Sequence, residues 1–296
     1  ITCRDWSSDV CSSDLAVEGP EYETIALIGG VCDIRDIGAV AMLNEFCDRM
    51  GIDTISAGSL AGFMIEAKRR GLIPGAETLS IDYDNPKGVL EFFKLLVQKE
   101  GLGTDFAQGS RYVAEKYGLE SLVMHVKGLD FAGYDPRCFR GFTLSYGVSP
   151  EGPTHLRSVF HGIERNMPNR LEYENKAAPM LAEEDRMAII DSLIVCKFVR
   201  GVLDWATITE IYNLLFHTQA DINKLREIAG NIVSLSRKFN VREGFSRKDD
   251  YMPSRVFNEA LPKREGETPA LDREKYDMML SEYYKLRGWS EDGIPE

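Results

Sequence analysis

No run of 18 apolar residues occurs in this 296-residue sequence, so it offers no helix able to span a bilayer. Positive charge is scarce: 35 Lys and Arg stand against 47 Asp and Glu, for a net charge of −12. That balance disfavours nucleic acid or an anionic membrane as the main partner. Cysteine is sparse and scattered, at Cys3, Cys11, Cys32, Cys47, Cys138 and Cys196, with no CxxC pair. Nothing suggests a disulfide framework, and buried free thiols in a reducing cytoplasm are the ordinary reading. Internal repeats, coiled-coil heptads and low-complexity tracts are missing too. What remains is an acidic globular chain, long enough for a large core and for about two domains.

The first fifteen residues have neither helical nor strand periodicity. Arg4 to Leu15 reads as a translated sequencing-library adapter joined abruptly to Ala16, so fold reasoning starts at Ala16 and sets Cys3 and Cys11 aside. From residue 36 onward the pattern is mainly helical. Apolar spacing predicts helices over Ile37 to Met50, Ser59 to Arg70, Asn85 to Lys99 (Pro86 at its start) and Thr104 to Tyr117 (stopped by Gly118). Leu122 to Val126 is a short strand or a buried connector. Lys127 to Pro153 is rich in Gly and Pro and reads equally well as a ligand-lining loop or as an interdomain connection. Helices are expected again over Ala182 to Val199, Thr207 to Phe216, Asp221 to Phe239 and Asp272 to Lys285, while Val241 to Gly266 is charged and irregular. The expected fold is mainly α: two packed helical domains, 16–127 and 128–296, with long Gly/Pro-rich loops and little strand.

Two short segments carry the most information: Asp48-Arg49-Met50-Gly51-Ile52-Asp53 and Asp191-Ser192-Leu193-Ile194-Val195-Cys196. Each sets an aspartate five residues before a second polar or metal-capable side chain. In the first, Asp48 falls in the last turn of a helix that Gly51 stops, which turns the carboxylate and the following turn toward one spot. Alone, such a pattern usually marks only a helix end.

The two segments do not stand alone. Pro20-Glu21-Tyr22-Glu23-Thr24-Ile25 lies upstream. Val126-Lys127-Gly128-Leu129-Asp130, Tyr134-Asp135-Pro136-Arg137 and Thr154-His155-Leu156-Arg157 lie between or near them. Phe239 to Gly244, Arg247 to Asp250 and Glu282 to Trp289 follow. Together and in this order they resemble the aldehyde ferredoxin oxidoreductase family, tungsten- or molybdenum-bispyranopterin enzymes, over residues 16 to 296. The resemblance implies that the second and third, largely helical, domains of the family are present. It also implies that the β-rich first domain and three cysteines of a 4Fe–4S cluster lie outside this sequence. On that expectation the chain alone would be catalytically silent.

Residue by residue, the resemblance assigns Glu23 to activating water or moving its proton, a task suited to a raised pKa. It assigns His155 to donating to the substrate carbonyl or to a metal-oxo group, and Tyr134 to orienting that carbonyl. Asp48 and Asp191 would accept hydrogen bonds from the pterins, with Gly51, Ile52 and Asp53 in the same turn as Asp48. Cys196 would be the fourth thiolate of the cluster. The family pattern has Gly-Leu where this chain has Ile194-Val195; a branched Ile takes positive φ with difficulty, so a different turn is expected there. Arg242 to Asp250 is expected to be structural, holding the domains together by salt bridges. Of the other histidines, His125 reads as a satisfied core residue, and His161 and His217 stand outside any motif. The implied partners are ferredoxin and a small aldehyde, with room for a homo-oligomer. A benzoyl-CoA reductase-like catalytic subunit of the same family is the alternative within the architecture. A cofactor-free helical scaffold is the alternative outside it.

Overall fold

The structure, a computed structural model, describes residues 19–262 and 266–296; the adapter-like stretch with Cys3 and Cys11 lies outside the described residues. Contacts gather the chain into two compact units. The first runs to Gly133 and takes in Pro253–Arg255; the second holds Tyr134–Met252 and Val256–Glu296. Both are helical, and among the described residues strand is confined to two-residue pairs such as β1 (His125–Val126) against β2 (Leu129–Asp130). Among the described residues no helix is long and apolar enough to cross a membrane.

The first unit opens on a single turn, Tyr22–Thr24, that runs into a π-helical stretch, Ile25–Gly30. Wide turns of this kind are rare and tend to occur at functional sites. Helix α1 (Ile37–Met50) follows, capped by the Asp36 carboxylate, which accepts from Gly38 N–H, and closed by Gly51 at φ 67°. Helix α2 (Thr54–Arg69) starts five residues earlier than its apolar spacing predicts, because Asp53 caps it by accepting from Ser56 N–H at 2.7 Å. Gly58 is not a boundary: a Cβ there would lie 2.5 Å from the backbone carbon of Leu27, so small residues let α2 lie directly on the π-helical stretch. Helix α3 (Pro86–Gln98) has Asn85 as its cap and presents Val89, Phe92, Phe93 and Leu96 to the core. The predicted helix over Thr104 to Tyr117 is broken at Gln108-Gly109; Gly109, at φ 94°, separates a single turn, Gly103–Phe106, from α4 (Ser110–Tyr117).

In the second unit the Gly/Pro-rich stretch conceals a buried helix, α5 (Arg140–Val148). Its glycines serve close packing: a Cβ on Gly141 would sit 2.5 Å from the Phe160 ring. Composition alone cannot separate that use from a loop. A short helix, α6 (Phe160–Glu164), then delivers Glu164 to the start of α5. There its carboxylate accepts from Gly141 and Phe142 N–H and pairs with Lys176 at 3.0 Å, both charges fully buried. A carboxylate at a helix N-terminus also meets the positive end of the dipole. Helix α7 (Ala177–Ser192) begins five residues before the predicted start and ends at Ser192, so Cys196 lies beyond it. Helix α8 (Trp205–Phe216) and helix α9 (Ile222–Arg242) bury Ile208, Leu225 and Ala229 with Met187 and Ile190 of α7. Helix α10 (Arg273–Arg287) supplies Arg287, whose guanidinium meets Glu184 and Asp185 of α7 at 2.5 Å each. The charged stretch after α9 is tied down inside this unit: Asp250, fully buried, pairs with Arg237. Arg255, which returns to the first unit, pairs there with Glu66 at 2.7 Å.

Candidate functional site

Glu23 sits half-buried at the entry to the π-helical stretch. Its Oε2 accepts from Gly133 N–H at 2.5 Å, while the Tyr22 hydroxyl donates to Gly133 C=O at 2.7 Å. Gly133 is required here: a Cβ would stand 2.6 Å from the Ala26 Cβ and 3.1 Å from the Glu23 carboxylate. Burial pushes the Glu23 carboxyl above its usual range, against the opposing pull of the Gly133 N–H, and Asp53 and Glu21 add to the rise. The glutamate is thereby fixed on Gly133, within the first unit.

The two six-residue segments fold into the same turn. Gly51 N–H donates to Asp48 C=O at 3.3 Å and Ile52 N–H to Cys47 C=O at 3.0 Å; Ile194 N–H donates to Asp191 C=O at 3.0 Å and Val195 N–H to Ile190 C=O at 3.3 Å. The last residues match as well, Asp53 at φ −64°, ψ 129° and Cys196 at φ −60°, ψ 129°. The different turn expected from Ile194 does not occur: Ile194 adopts the left-handed conformation at φ 57°, as Gly51 does at 67°. The hydrogen bonds to the helix's last carbonyls hold it there, and its side chain, 94% exposed, meets nothing that would prevent it.

The surroundings of the two turns differ. Asp48, exposed, accepts from Asn44 Nδ2 at 2.9 Å. Asp191 is half-buried and paired with Arg157 at 3.2 Å and Lys197 at 3.0 Å. Lys197 also donates to Leu156 C=O, so the His155-Leu156-Arg157 segment is fastened to the Asp191 turn. A cavity of about 230 Å³ borders Asp191, with Arg157, Glu184 and Ala188 among its walls. Cys196 is exposed, whereas Cys32 and Cys47 are buried thiols whose pKa burial pushes up to about 12. Buried Asp130 on β2 is raised to about 7, by burial first and then by the charge of Asp53.

The second unit brings Tyr134 and His155 together, ring centroids 5.3 Å apart. It places with them a residue the sequence reading left outside any motif: His161 lies 4.4 Å from Tyr134 and 4.9 Å from Phe142. Only its position six residues after His155, across a turn, hints at this in the sequence. Burial lowers His155 to about 4, with Lys197 and Arg200 adding to the effect. His161 is lowered to about 4 as well, by burial and then by His155, Arg200 and Arg165. Both imidazoles are neutral at pH 7. His125 is not the satisfied core histidine expected: it is half-buried and its Nδ1 has no hydrogen-bond partner. His217 closes α8 in a left-handed conformation, away from these groups in sequence and motif.

Residues 1–296 match the family model described as aldehyde ferredoxin oxidoreductase, domains 2 and 3. The chain is similar to the tungsten-containing aldehyde ferredoxin oxidoreductase of Pyrococcus furiosus, at 30% identity over 291 residues, covering 94% of this chain and 47% of that protein. It is also similar to an aliphatic sulfonate oxidoreductase, WOR-like subunit, of the same organism, at 26% identity, covering 94% of this chain and 44% of that protein. The chain thus spans about half the length of the curated relatives it matches. Among solved structures, the active-site complex BamBC of benzoyl coenzyme A reductase, with 1,5-dienoyl-CoA, shares the fold at a TM-score of 0.72. Sequence identity there is 17%, over 95% of this chain and 48% of that one.

Proposed function

The chain belongs to the aldehyde ferredoxin oxidoreductase family, over the family's second and third domains, and from that premise we propose that it is part of an enzyme oxidising an aldehyde to a carboxylic acid at a tungsten or molybdenum bispyranopterin. Electrons would leave through a 4Fe–4S cluster to ferredoxin. The observation that carries the reading is the repeated turn, which presents Asp48 and Asp53 in one unit and Asp191 and Cys196 in the other with the same backbone.

The acceptor set fits a pterin. Ionised carboxylates only accept hydrogen bonds, and the pterin's amino and ring N–H groups need such acceptors. Asp48, Gly51 and Asp53 are exposed and Ile52 is half-buried. Cys196 is exposed, so its thiol is accessible to a cluster. Among the described residues no group of three His, Cys, Asp or Glu could hold a metal ion; on the proposed reading Cys196 would give one thiolate to the 4Fe–4S cluster.

The bound metal pterin supplies two-electron redox chemistry, in which aldehyde and water yield acid, two electrons and two protons. The chain's own residues handle the protons and the substrate's orientation. Glu23, with a raised pKa and its Oε2 held by Gly133 N–H, takes a proton from the attacking water. His155, a neutral imidazole, donates its N–H to the substrate carbonyl oxygen without adding a charge. Tyr134 orients that same oxygen through its hydroxyl.

Glu23→Gln and His155→Ala in the complete enzyme are each expected to lower kcat for acetaldehyde or benzaldehyde by about 10²-fold or more, the usual scale for acid–base groups. Tungsten and pterin content should stay unchanged. Near-normal turnover in either variant removes that residue from the mechanism, and loss of metal along with activity makes it a cofactor residue instead.

A further inference from the structure

We propose that His161 is a second histidine of the substrate site, its Nδ1 making a hydrogen bond to a substrate oxygen beside the one assigned to His155. The inference rests on the reading above for what the substrate is. Its evidence is separate from the motifs that carried that reading.

The first observation is place. His161 is closer to Tyr134 than His155 is, 4.4 Å against 5.3 Å between ring centroids, and lies 6.0 Å from His155 itself. The second is an unmet need. His161 Nδ1 is buried and has no hydrogen-bond partner. A histidine kept only for structure ordinarily has its buried nitrogen paired, because leaving it unpaired costs the full desolvation of that group.

The third observation is how firmly the ring is held despite that need. It stands on α6, entered through Val159, a buried β-branched residue in the left-handed conformation at φ 50°. Such backbone persists only where the surroundings impose it. The far end of α6 is clamped by Glu164, which accepts two backbone N–H bonds from α5 and pairs with buried Lys176. The ring packs against Phe142 at 4.9 Å, on the helix that Glu164 holds. A rigid mount for an unpaired polar atom, next to two residues assigned to the substrate, is a binding position. Neutrality at pH 7 suits it, since an uncharged imidazole can meet an aldehyde oxygen as donor or a hydrated one as acceptor.

The test compares His161→Phe, which keeps the ring and removes the nitrogens, with His161→Asn, whose amide returns a polar group to the Nδ1 position. Both are made in the complete enzyme. Titration calorimetry with benzamide, an unreactive carbonyl compound, reads binding, and benzaldehyde oxidation reads KM and kcat. His161→Phe is expected to weaken benzamide binding and raise KM by roughly tenfold, the effect of losing one neutral hydrogen bond. His161→Asn is expected to retain most of both, and the thermal midpoint should not fall in either variant, His161→Phe being relieved of a buried unpaired nitrogen. Unaltered binding and KM in His161→Phe overturns the proposal. So does equal impairment in the two variants, because the polar atom would then not be what matters. A wild-type enzyme that binds benzamide through His161 but oxidises no aldehyde would instead remove the proposed reaction and leave the binding position standing.

Discussion

The turn after Asp48 and the turn after Asp191 share one backbone and are built from different materials. In the first, the left-handed position is Gly51, which pays no steric penalty, and the turn ends on Asp53, the cap of a 16-residue helix. In the second, the same position is Ile194, whose branched side chain is 94% exposed and gains no packing to offset a left-handed cost of roughly 1–2 kcal/mol. That turn ends on exposed Cys196 and a short 3₁₀ stretch, Lys197–Val202, in which Phe198 is 90% exposed. The first turn therefore contributes to the stability of its unit, whereas the second holds its shape at a cost to its own. Strain retained without a packing return is expected where the conformation itself serves a ligand.

The largest effect that separates the turns concerns their last residues. Cys196→Ala in the complete enzyme is expected to lose most of the cluster iron and of the ferredoxin reduction. The matching change in the first turn, Asp53→Ala, should leave iron in place and cost about 1 kcal/mol of stability through the lost cap. Iron analysis and urea unfolding of the two variants decide this, and full iron in Cys196→Ala would make that cysteine an ordinary thiol. Exchanging the left-handed residues gives a smaller effect with opposite signs. Gly51→Ile should destabilise the first unit by about 1–2 kcal/mol. Ile194→Gly should stabilise the second by about 0.5–1 kcal/mol, once the greater freedom of glycine in the unfolded chain is counted. Equal signs in urea melts would show that the two turns are not equivalent.

The subtlest contrast is in pH. Asp130 in the first unit keeps its proton up to about 7, whereas the unfolded chain releases it near 3.8. Its contribution to stability therefore fades as pH rises through that window. His155 and His161 in the second unit stay neutral down to about 4, whereas unfolded histidine protonates near 6.5. Their contribution fades as pH falls from 6.5 toward 4. Site-resolved hydrogen exchange between pH 4.5 and 6.5, corrected for intrinsic rates, should show Asp130→Asn flattening the first trend. His161→Phe should weaken the second. Trends unchanged by the two variants would contradict these assignments.

Helix ends with a side-chain or glycine signal were legible in the sequence: α1 with Gly51, α3 with Asn85 and Pro86, and the mainly α class as a whole. Boundaries failed where a small residue had two uses. Gly58 looked like a helix boundary and lies inside α2 against Leu27; Gly141 and Gly147 looked like loop and lie inside α5. The Asp48 and Asp191 segments were visible as a pair, but their equivalence was not, because Ile194 conceals a glycine-like conformation. His161 was missed for another reason. Its neighbours in space, Tyr134 and Phe142, are remote in sequence, and no spacing rule joins them.

The central claim of the proposal is that the aspartate of each matched turn, Asp48 in the first unit and Asp191 in the second, is a pterin-binding residue. It is tested most directly by pterin and tungsten analysis of the complete enzyme carrying Asp48→Ala or Asp191→Ala, with circular dichroism as the control for folding. Both variants are predicted to fold and to lose bound pterin. Full pterin and tungsten in either folded variant would contradict the account.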